Sequence, residues 1–203
     1  MKLLAGLALA WPCLALAADS DELLSRVVAR LAEHAVIRAQ FVQERFVAAM
    51  PAPSLSRGRL IVSRKDGVLW QIESPIHASL AFTPTQIIET GSDGVRRLRS
   101  PRGGATDAAV GRLMRGILGA DADELRAQFE ARAVGSLGRW SIRLAPKARE
   151  VARFVKAIHL SGGRFLDAIG IEETSGDRTA IRMHGFAVAA ELEPDEREQF
   201  TAP

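Results

Sequence analysis

Hydrophobic and polar positions change period along this chain, and each change predicts an element. From Asp19 to His34, the residues Leu23, Leu24, Val27, Val28 and Leu31 recur at spacings of one, three and four behind acidic residues, which predicts an amphipathic helix. Its apolar stripe needs a partner, and a sheet follows at once. From Val36 to Ala48 the period drops to two, so that Ile37, Ala39, Phe41, Gln43 and Arg45 share one face of a strand.

Short strand-like runs continue the pattern at Gly58 to Arg64, Val68 to Glu73, Ser79 to Thr83, Gln86 to Thr90 and Gly94 to Ser100. Lys65-Asp66-Gly67, Ser74-Pro75, Pro84-Thr85 and Gly91-Ser92-Asp93 punctuate them, which predicts an antiparallel meander. Parity groups Leu60, Val62 and Arg64 on one face, Val68, Trp70 and Ile72 on another, and Ala78, Leu80 and Phe82 on a third. These three sets are expected to point inward together, with Phe41 from the preceding strand.

After Pro101-Arg102-Gly103-Gly104 the period becomes helical again. Val110, Leu113, Met114, Ile117 and Leu118 form an apolar stripe that Thr106 or Asp107 could cap and Gly119 could end. A second short helix is expected at Asp121 to Gln128. Strands then resume at Phe129 to Val134, Trp140 to Leu144, Phe154 to Leu160, Arg164 to Glu173 and Thr179 to Phe186. Trp140 and Ile142 join the inward set. The helix at 110–118 is either a lid over the apolar face or simply part of the core.

The first residues predict export. Lys2 precedes an apolar run from Leu3 to Leu16 that ends in Ala15-Leu16-Ala17, a small-residue cleavage pattern, and Asp19 and Asp21 follow. Residues 1–17 are therefore expected to be a cleaved signal peptide. Removing 17 of the 203 residues leaves 18–203, a length that fits one domain, and no linker or repeat divides it. The single cysteine, Cys13, leaves with the leader, so the exported chain would depend on its core rather than on disulfides. With 47% hydrophobic residues, that core is available.

Charge and motifs narrow the functional classes. The net charge of +3 comes mostly from arginine and is too small to imply nucleic acid. No G-x-S-x-G elbow, phosphate-cradling glycine loop or H-E-x-x-H occurs, and His34, His77, His159 and His184 are scattered, so an enzyme is not expected and no metal or cofactor is implied. Asp121-Ala122-Asp123-Glu124 reads as an acidic helix start. The basic stretch Arg96-Arg97-Leu98-Arg99-Ser100-Pro101-Arg102 is either a solvated edge strand and turn or a contact for a membrane surface or partner.

Phe41-Val42-Gln43, then Gly58-Arg59-Leu60-Ile61-Val62-Ser63-Arg64, then Trp70 and Pro75 resemble the N-terminal signature of the outer-membrane lipoprotein carrier (LolA-like) family. Leu144-Ala145-Pro146-Lys147 after a strand is a further match, and the chain end with Phe200 and Pro203 resembles the family's last core strand. Lys65 departs from it, standing where the family usually has proline. The resemblance implies a mainly β, α+β fold: a half-open, strongly curved antiparallel β-barrel with helices covering its concave apolar face. It implies a periplasmic carrier without a cofactor, which takes acylated cargo from an inner-membrane exporter to an outer-membrane acceptor; a monomer is the expectation.

On that reading the apolar cavity and lid comprise Phe41, Leu60, Val62, Val68, Trp70, Ile72, Leu80, Phe82, Val110, Leu113, Met114, Ile117, Leu118, Trp140 and Ile142. The resemblance also makes Arg64 an inner-face residue that latches the lid. A guanidinium beside Leu60 and Val62 would need partners for its donors, and lid carbonyls would serve, although a strand-end arginine reaching solvent is the simpler arrangement. A ligand-sensing or protein-binding module on the same scaffold is the alternative function.

Overall fold

A computed structural model describes residues 13–99 and 122–201. Helix α1 (Cys13–Leu31) leads into strand β1 (Val36–Phe46), and the meander follows as β2 (Ser54–Ser63), β3 (Gly67–Ser74), β4 (Ala78–Phe82), β5 (Ile87–Thr90) and β6 (Arg96–Arg99). Helix α2 (Ala122–Gln128) precedes β7 (Phe129–Ser136) and β8 (Arg139–Pro146). The short helix α3 (Arg149–Ala152), strands β9 (Val155–Gly162), β10 (Leu166–Glu173) and β11 (Arg178–Ala189), and helix α4 (Pro194–Gln199) complete the chain. The apolar helix expected at 110–118 lies outside the described residues.

The eleven strands of the described residues join one antiparallel sheet in the order β6-β5-β4-β3-β2-β1-β11-β10-β9-β8-β7. The sheet is curved and does not close, as expected of a half-open barrel. Register irregularities occur at Arg38/Gln40, Arg57/Gly58, Leu166/Ala168 and Glu172/Glu173. Extra residues of this kind bend a strand and raise its local twist, which lets so wide a sheet curl.

Alternation then separates two faces. Cross-strand partners Leu60 and Trp70, Val62 and Val68, Trp70 and Leu80, and Val68 and Phe82 stand side by side, so the three inward sets of the meander do share a surface. The same surface continues through Phe41, Met183, Ile181, Ile169, Leu160, Ile142 and Ala133. Helix α1 lays Leu24, Val27, Val28 and Leu31 on it. Ser20 Oγ accepts from the backbone N–H of Ala133 at 2.9 Å, and Arg126 donates to Ser25 Oγ at 2.8 Å, so the helix is pinned to the β7 edge as well as packed.

Two expectations need correction. Strand β2 ends at Ser63, and Arg64 opens a tight turn instead of continuing the inner face. Ser63 Oγ donates to Asp66 Oδ2 at 2.6 Å and accepts from the Asp66 backbone N–H at 3.1 Å, while Gly67 supplies φ 122°. That local bonding stops the strand one residue early.

The chain end is likewise not a core strand. The final strand is β11, and the segment after it crosses to the opposite, outer face, where Leu192 and Phe200 pack on Val36, Ile61, Leu69, Ala81 and Ile88. Glu193 and Glu196 form a reciprocal capping box at the start of α4. Arg38 on β1 holds this strap by donating from Nε and Nη2 to Glu196 at 2.6 and 2.5 Å. Arg96 on β6 donates to the carbonyls of Glu198 and Thr201, so the first residue of the basic stretch serves the strap's C-terminal turn.

Candidate ligand-binding face

The inner face is unevenly covered. Its β7 to β11 half lies under α1, and Trp140, Ile142, Leu144, Ile158 and Leu160 are each at most 2% exposed. Trp140 spends its one donor on the Gly163 carbonyl at 2.8 Å, which leaves only its ring to the core. The β2 to β5 half is different: Val62, Trp70, Ile72, Leu80 and Ile87 pack on the same core but stay half-buried. Leu60, Val68 and Phe82 lie deeper and are buried.

Phe41 joins the halves. It is 1% exposed, and its ring meets that of Trp70 with 4.1 Å between centroids and 34° between planes. Trp70 thus has one side on the core and part of its surface open, an arrangement suited to contact with a flexible apolar ligand.

Charge fringes this apolar area instead of crossing it. Beyond Leu80 the face ends at Glu89, whose neighbour across the strands is Arg97. Arg97 donates to Asp93 at 3.0 Å, and this hydrogen bond, with one from the Val95 backbone N–H, holds the Asp93 carboxyl below its usual range. At the far end of β1, Arg45 lies 3.5 Å from Glu173 and 3.7 Å from Asp177. Among the described residues, no three histidine, cysteine or acidic side chains gather as metal ligands would.

The sequence-derived set therefore divides four ways. Val62, Trp70, Ile72 and Leu80 form a partly open apolar patch, whereas Phe41, Leu60, Val68, Phe82, Trp140 and Ile142 are buried beneath or beside it. Val110, Leu113, Met114, Ile117 and Leu118 lie outside the described residues. Arg64 is exposed in its turn; its backbone N–H donates to the Ala35 carbonyl at 3.0 Å, and its guanidinium has no hydrogen-bond partner among the described residues. Ile87 was missed, although the alternation within Gln86 to Thr90 carries it to the face beside Phe82.

A curved, open antiparallel sheet with a helix on its inner face is a fold with counterparts among solved structures. The chain is similar in structure to a LolA superfamily protein from Nitrosomonas europaea, with a TM-score of 0.50 and 10% identity, covering 90% of this chain and 97% of that one. It is also similar to an outer membrane lipoprotein-sorting protein domain from Vibrio parahaemolyticus, with a TM-score of 0.52 and 9% identity, covering 91% and 100% of the two chains. No protein-family profile and no curated protein sequence matches it. At these identities the likeness is one of fold.

Proposed function

We propose that this protein is an exported carrier, cleaved after Ala17, which binds the acyl chains of lipoproteins or of a related acylated lipid and moves them through the periplasm. Binding, not catalysis, is its task. The reading rests on one observation: Val62, Trp70, Ile72, Leu80 and Ile87, on the paired strands β2 to β5, form an apolar patch that α1 leaves half-buried, while Ala133, Ile142, Leu160, Ile169 and Ile181 across β7 to β11 are buried.

The energetics suit a carrier. An acyl chain of about 15 methylenes held out of water gains on the order of 12 kcal/mol, at about 0.8 kcal/mol per methylene, before ordering costs. Uptake is then easy and release is the difficult step. The predicted apolar helix at 110–118 would compete with cargo for the same surface, so that closing it lowers net affinity and assists release. Arg64, free to turn toward either, takes the latch role in this scheme. Donor and acceptor at the two membranes would follow from that cycle.

Trp70 supplies a test. In a Trp140→Phe background it is the sole tryptophan after leader removal, and titration with a fatty-acid probe should shift its emission and saturate. A probe that leaves Trp70 emission unchanged at every concentration would exclude the patch as the binding surface.

A further inference from the structure

Five of the most exposed large apolar side chains lie along one end of the sheet. Strands β1, β3, β5, β8 and β10 all run toward that end, where the connections 47–53, 75–77, 91–95, 147–154 and 174–177 turn the chain back. Met50, Leu55, Ile76, Val95 and Phe154 belong to these connections or to the strand ends beside them, with exposures from 43% at Leu55 to 64% at Ile76. Scattered exposed apolar residues are ordinary, but five of them at the tips of separate hairpins along one end of the sheet mark a contact surface.

Polarity around the tips is also uneven. Residues 47–56 contain no charged side chain, and neither do 74–76. The β8 to β9 connection carries Lys147, Arg149 and Arg153 just before Phe154, with Glu150 as its one acid. Arg149 and Arg153 are exposed and form no ion pair among the described residues. Apolar tips beside a connection in which three cations stand against one acid, while Asp93 and Asp177 at the same end are paired with Arg97 and Arg45, complement an anionic, apolar interface.

We propose that this end of the barrel docks on the surface of a bilayer rich in anionic phospholipid, with Met50, Ile76 and Phe154 entering the headgroup boundary and Arg149 and Arg153 meeting lipid phosphates. A fluid interface suits side chains that arrive from separate hairpins, because each can enter independently and no pocket has to match all of them. The surface goes beyond cargo binding and stands whether or not the inner face holds an acyl chain.

Co-sedimentation tests it, using leader-free protein verified by intact mass and vesicles of phosphatidylcholine alone or mixed three to one with phosphatidylglycerol. The protein should sediment with the mixed vesicles, less so as salt rises. Ile76→Ser/Phe154→Ser should weaken that binding about tenfold, Arg149→Glu/Arg153→Glu should abolish the preference for phosphatidylglycerol, and Leu98→Ser/Val134→Ser should change neither. The tip variants should keep their thermal midpoint and their fatty-acid uptake, which separates this surface from the carrier reading. Failure to bind either vesicle, equal binding to both, or binding unaffected by the tip variants would overturn the proposal, and the first result would point to a protein partner at these tips.

Discussion

Phe41 on β1 and Trp70 on β3 touch ring to ring across the whole width of β2, their centroids 4.1 Å apart. The strand between them makes the contact possible. Gly58 stands opposite Phe41 in the β1 to β2 register, and Leu60 stands opposite Trp70, so the aromatic rings lie over the one position of β2 that lacks a side chain. Aromatic rings that cover a glycine in a neighbouring strand restore packing that the glycine cannot provide.

Gly58 is constrained from a second side, because a Cβ there would fall 1.8 Å from the Gln71 carbonyl oxygen. Backbone would have to move at the Arg57/Gly58 irregularity. Gly58→Ala should therefore destabilise the protein by about 2 kcal/mol, read from the urea midpoint, and should weaken acyl binding through the displaced Trp70 ring.

Burial separates the two aromatic partners in function. Phe41→Ala opens a cavity in a sealed core and should cost about 3–5 kcal/mol of stability. Trp70→Ala removes a half-buried ring and should cost less in folding, while reducing fatty-acid uptake several-fold. A variant set in which uptake simply tracks stability would remove Trp70 from the site.

Much of this arrangement could be read from alternation alone. The inward sets around Leu60, Trp70 and Leu80 needed only strand parity, and α1 needed only a helical stripe. What parity could not supply was the extent of the cover: the middle of the β7 to β11 half is buried while Val62, Trp70, Ile72, Leu80 and Ile87 on β2 to β5 stay half-buried, and that division depends on pairing across the whole sheet. The strap was illegible for a similar reason. Leu192 and Phe200 are isolated apolar residues whose partners, Ile61 and Leu69, lie over a hundred positions away. Glu193 and Glu196 beside Pro194 did carry a helix-start signal that sets Phe200 at a helix end. At Arg64 the decisive signal was local, since Ser63, Asp66 and Gly67 favour a turn.

Acid should loosen the strap. Burial pushes the Glu196 carboxyl up, but its hydrogen bond with Arg38, the Glu193 backbone N–H and the charges of Arg38 and Arg59 outweigh burial and hold it below its usual range. The folded value lies below the unfolded one of about 4.3, so the stabilisation is complete above that pH and is lost as pH falls through the lower folded value. Glu196→Gln should cost about 2 kcal/mol at pH 7 and flatten the acid side of the stability profile, below about pH 5. Equal acid sensitivity in both proteins would assign the loss to other carboxylates.

Arg64→Leu should leave the thermal midpoint unchanged, because the side chain is exposed in a turn. Its effect should appear in kinetics instead: a preloaded fluorescent fatty acid should leave the variant at a different rate from the wild type. Identical release from both proteins would end the latch role.

The most direct measurement is native mass spectrometry of the protein purified from the periplasm of a Gram-negative host, with extraction and identification of whatever is bound. The carrier account predicts adducts of acyl-lipid mass that disappear in Leu80→Glu while that variant keeps its thermal midpoint. A clean unliganded mass, with no uptake of added fatty acids by the wild-type protein, would contradict it.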